Sequence, residues 1–90
     1  MKPHELFGEY CLEEPPSGWF ARSELGGHHL ELLSAVRDCL LAAPLSAATR
    51  DDLISLKNRL RDAAEFENRA IKEYEGRLIA IADAILSGSA

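Results

Sequence analysis

From Ser46 to Leu86 the chain contains no proline, and its apolar residues recur every three or four positions. Leu53, Leu56, Leu60, Ala63, Ala64, Ala70, Ile71, Tyr74, Leu78, Ile81, Ala82 and Ile85 follow a period near 3.6, which predicts one long amphipathic helix over 46–86. Counted as heptads, the stripe starts at a and d and reaches a and e by Leu78. A straight helix drifts by about 20° per heptad in this way, so the pattern suits a globular bundle better than an extended supercoil. Ser46 and Thr49, the latter with Asp52 three residues on, are the candidate N-caps. Arg61, Glu65, Arg69, Glu73 and Arg77 alternate in sign at four-residue steps and predict a solvated, helix-stabilising face. Gly76 is the expected weak point, since glycine costs about 1 kcal/mol against alanine in a helix interior.

Upstream, residues 28–43 predict a second helix. Leu30, Leu33, Val36 (or Arg37) and Leu40 form its stripe, widened by Leu32, Cys39 and Ala43, and Pro44 stops it. If the two helices fold back on each other, Ala43 comes near Ala48 and His29 near Asp62. Residues 3–14 allow a short first helix, with Leu6–Tyr10 and Phe7–Cys11 at helical spacing; Pro15-Pro16 and Ser17-Gly18 end it. Gly26-Gly27 either starts the second helix or kinks one begun near Trp19. The expected fold is therefore all-α: a helical hairpin, short helix then long, with an N-terminal extension. Its domains are a partly ordered extension over 1–27 and a hairpin over 28–90.

Composition narrows the function classes. The 90 residues carry a net charge of −5, and no segment gathers Lys and Arg without interleaved acids, which disfavours nucleic acid as a partner. Two cysteines argue against a disulfide scaffold. No apolar run reaches the roughly 18–20 residues of a membrane span, and Met1-Lys2-Pro3-His4-Glu5 lacks the apolar run of a signal peptide. A soluble, cytoplasmic protein with no membrane partner is the expectation.

No catalytic, metal or cofactor motif stands out, and none of those sites is assigned. His28 and His29 point about 100° apart on a helix and cannot share one ion. A site pairing Cys11 with either of them lacks any CxxC or HxxxH signature, and Cys39 reads as core. Two features carry more weight. Glu67 falls at the centre of the long helix's apolar face, where a carboxylate sets register with a partner, occupies a pocket, or meets water or an arginine. The segment 78–86 is apolar nearly all round, with Ile79 and Leu86 pointing away from the main stripe. Little of so short a chain is left to enclose it. These features predict a non-enzymatic protein–protein interaction module, an adaptor, chaperone or inhibitor-like protein. It would form a homodimer or dock on a protein partner through Glu67, Tyr74, Leu78, Ile79, Ile81, Ile85 and Leu86, with Trp19 and Phe20 as aromatic anchors. The competing expectation is a ligand-binding or enzymatic bundle in which Glu67 and a histidine line a cavity.

Overall fold

Local signals set most helix ends. The computed structural model describes residues 2–41 and 45–88, and of Phe20 the backbone alone. Among these residues the regular elements are all helical: α1 (Pro3–Cys11), one 3-10 turn (Trp19–Ala21), α2 (Ser23–Leu41), α3 (Ala47–Ala64) and α4 (Arg69–Gly88). Pro3 opens α1, where its missing N–H is no loss. Gly18, at φ 83°, supplies the left-handed turn that leads into Trp19. Ser46 caps α3, its side chain accepting the backbone N–H of Thr49 at 3.1 Å.

The single helix expected over 46–86 is in fact two. The chain leaves helical geometry at 65–68, and the Asn68 side chain caps the new helix by accepting the Ile71 N–H at 3.0 Å. A continuous helix of that span would be roughly 60 Å long, whereas the longest principal dimension of the fold is 37 Å. Turning back lays α4 against α3, α2 and α1, so its apolar stripe is covered instead of projecting into water. Gly76, the expected weak point, lies inside unbroken α4. The charge ladder divides with the helix: Arg69 and Glu73 pair at 2.9 Å on α4, while Arg77 turns to Glu13.

α2 starts at Ser23, so Gly26-Gly27 are helical and the expected domain boundary after residue 27 falls inside it. The face that α2 buries runs through Leu25, His29, Leu32, Val36 and Cys39. Leu30, assigned to the stripe from the sequence, is 59% exposed, and Leu33 and Leu40 are half-buried. The stop at Pro44 and the position of Ala43 lie outside the described residues. Leu32, Val36, Leu53, Leu60, Ile71 and Leu78 are fully buried at the centre, each worth about 1.5–3 kcal/mol of burial. Lys57 reaches Asp83 at 2.7 Å, and Arg50 donates to the Leu86 carbonyl at 3.1 Å, a cation closing the C-terminal end of α4. Among the described residues no helix is long and apolar enough to cross a membrane.

Candidate functional site

A carboxylate sits in the middle of α4's apolar face, and it is Glu75. Its residue is wholly buried, with Ile71, Tyr74, Leu78 and Ala82 buried beside it along the helix. Two elements supply its partners. His29 on α2 places Nδ1 2.9 Å from Oε1 and 3.0 Å from Oε2. The His29 ring donates to the carboxylate in the tautomer that carries its proton on Nδ1. Trp19 in the 3-10 turn donates its indole N–H to Oε1 at 3.2 Å. The turn holds the indole in place through the backbone bond from Trp19 N–H to Pro16 carbonyl, 3.1 Å. Burying a carboxylate is tolerated only when such partners replace water.

Aromatic rings wall off this triad. Tyr10 of α1 stacks on Tyr74 with centroids 5.0 Å apart, and His29 stacks on the same ring at 5.6 Å. Trp19 meets His29 edge-on at 5.0 Å. The Tyr10 hydroxyl is buried with no well-formed hydrogen bond among the described residues. Burial first, then the Glu75 charge and the neighbouring Tyr74, push the Tyr10 phenol far above its usual range. Tyr74 is raised as well, chiefly by burial.

Residues 2–22 thus lie over α4 as a strap, with two ion pairs along its edge. Glu13 grips Arg77 with both carboxylate oxygens, at 2.6 and 3.0 Å, and Arg22 meets Glu67 at 3.1 Å. Glu67 is therefore not central to a helix face. It lies in the α3–α4 turn, against an arginine, because the chain breaks where a continuous wheel would have put it inward.

The other residues singled out from the sequence separate cleanly. Tyr74, Leu78, Ile81 and Ile85 are buried by the chain's own elements, and Ile79 and Leu86 are partly buried against the same core. Trp19 is part of the triad. The Phe20 side chain lies outside the described residues. A cleft of about 430 Å³ runs between α2 and α3 past Ala35, Cys39, Thr49, Asp52 and Arg59. His29 and Glu75 are not in its wall, and at 4% and 0% exposure they meet no substrate in this conformation. Glu67 shares a shallower cleft with Arg22 and Ser23, and no histidine lines it.

Sequence reasoning missed Glu75 and His29 as a pair, although a signal for each was present. Glu75 stands four residues after Ile71 and three before Leu78, on the stripe itself. His29 stands between Leu25 and Leu32 in the same way. Reading charged and polar residues as outward hid both. No protein-family model matches the chain, and neither a curated protein nor a solved structure matches it.

Proposed function

We propose that this is a non-enzymatic protein–protein interaction module, an adaptor, chaperone or inhibitor-like protein acting through the apolar face of α4. At rest residues 2–22 cover that face; the partner, a protein or a second copy, takes their place. α2 and α3 would serve as the fixed hairpin on which α4 is displayed, in a cytoplasmic setting. The observation that supports this reading is Glu75. A carboxylate at the centre of an internal apolar face opposes closure, because it gives up hydration for two hydrogen-bonded neighbours. When the strap lifts, Trp19 leaves and the carboxylate regains water, which offsets part of the cost of exposing Tyr74, Leu78 and Ile81. A wholly apolar face would hold the strap more tightly and open less readily.

The test loosens the strap at its rim without touching the core. In a Glu13→Ala, Arg22→Ala double variant the ties to Arg77 and Glu67 are gone. The expected result is stronger binding of an environment-sensitive hydrophobic dye, a red shift in the emission of Trp19, the sole tryptophan, and a rise in molar mass by light scattering. A variant that keeps the parent's emission and mass and excludes the dye would mean that the α4 face does not open for binding.

A further inference from the structure

α1 sits where a partner of α4 would sit, so its contacts describe the kind of ligand that face accepts. Leu6, Tyr10 and Glu13 stand at i, i+4 and i+7, the spacing at which a helix lays one face into a groove. Leu6 packs against the core, Tyr10 is 3% exposed, and Glu13 grips Arg77 at the rim. Glu5, Glu9 and Leu12 are exposed. The fit is imperfect in two places. The Tyr10 hydroxyl is buried without a well-formed hydrogen bond among the described residues, and an unpaired buried hydroxyl opposes the contact that buries it. Between Leu6 and Tyr10 of α1 and Ala80 and Ile81 of α4 there is also a notch of about 160 Å³. Its walls lack the dispersion contacts of a filled groove.

We propose that the occupant of the α4 face is an amphipathic helix of another protein, one that repeats the α1 pattern and corrects both defects. It carries a bulkier apolar residue at the place of Leu6 and an aromatic ring without a hydroxyl at the place of Tyr10. Three residues further on it carries a carboxylate for Arg77. Such a helix binds only if α4 opens as proposed above. A second copy is a poorer occupant, because it offers the same undersized α1. The chain's own α1, tethered through residues 12–18, competes at an effective concentration on the order of millimolar. A better-fitting helix overcomes that advantage, since each defect it removes adds affinity that the strap lacks. α1 is in this sense a stand-in ligand, built to be displaced.

Fluorescence anisotropy of dye-labelled peptides against the full chain tests this. Each peptide spans residues 2–14 with Cys11→Ser, a change at a position exposed in α1. One is otherwise unaltered, and an improved one adds Leu6→Phe and Tyr10→Phe. The improved peptide should bind the Glu13→Ala, Arg22→Ala chain at least about tenfold more tightly than the unaltered peptide does. It should bind the parent chain more weakly than that loosened chain, because the parent's strap competes for the face. Adding Glu13→Lys to the improved peptide should weaken it at least about fivefold on the parent chain, and strengthen it by a similar factor on an Arg77→Glu chain. That crossed preference reads the rim of α4 and not overall stability. Equal binding of the unaltered and improved peptides would overturn the proposal, as would indifference to the charge reversals. If the loosened chain takes up the hydrophobic dye and red-shifts Trp19 while no peptide binds, α4 opens but its occupant is not such a helix, and a doubled mass would then name a second copy. If that chain stays closed and no peptide binds, the opening fails, and this occupant with it.

Discussion

At the scale of single residues, Glu75 is the most consequential side chain. Its two partners are donors that lose their acceptor if it is removed, and the chain gains little in exchange. Glu75→Ala should destabilise by about 3–5 kcal/mol, because the buried His29 then loses its acceptor. Replacing His29 and Glu75 together by leucine removes the charge and its main donor at once. In urea unfolding, the double variant should lose far less than the two single losses added together. Strict additivity would show that the two side chains are not energetically coupled. Glu67 teaches the complementary lesson. Its partner Arg22 has a side chain about half exposed, and such a surface pair contributes at most a fraction of a kcal/mol. Position on a helical wheel put Glu67 at the centre of the face, but burial and bonding put Glu75 there.

At the scale of elements, the decisive event is the turn at 65–68. Asn68 caps α4 and thereby fixes where the second half of the stripe restarts. Asn68→Ala should cost about 1 kcal/mol by thermal or urea unfolding, through loss of the bond to the Ile71 N–H. Gly76→Ala should do the reverse. The site is helical and a Cβ there has open space, so the change should stabilise by about 1 kcal/mol. A destabilised Gly76→Ala variant would mean that the backbone there needs freedom a straight helix does not. The alternating charges show how local patterns can be read too far. Arg69–Glu73 forms as the i,i+4 rule expects, yet Arg77 serves the strap through Glu13. Local spacing could not foresee that use.

At the scale of the whole molecule, the buried phenols and thiol tie stability to pH on the alkaline side. Tyr10 and Tyr74 hold their protons above the usual value in the folded state, chiefly through burial, and so does Cys39. The folded chain therefore binds more protons than the unfolded one above the unfolded pKa values, about 9 for the thiol and 10 for the phenols. Stability from these groups is fully present below that range and falls as pH rises through it. Unfolding free energy should decline from about pH 9 and steepen above 10, and Tyr10→Phe should remove up to about 1.4 kcal/mol per pH unit of that slope. An unchanged slope in the variant would show that Tyr10 ionises in the folded chain. What the sequence by itself determined is local: the all-helical class, the cap at Ser46, and the absence of any long apolar span. Those follow from residues within a turn or two of one another. Only the tertiary structure decided that the long stripe turns back at 65–68, that residues 2–22 cover α4, and that a glutamate finds its histidine 46 positions away. A helical period records which residues share a face. It does not record what packs against that face, and the free energy of burying Glu75 depends on that alone.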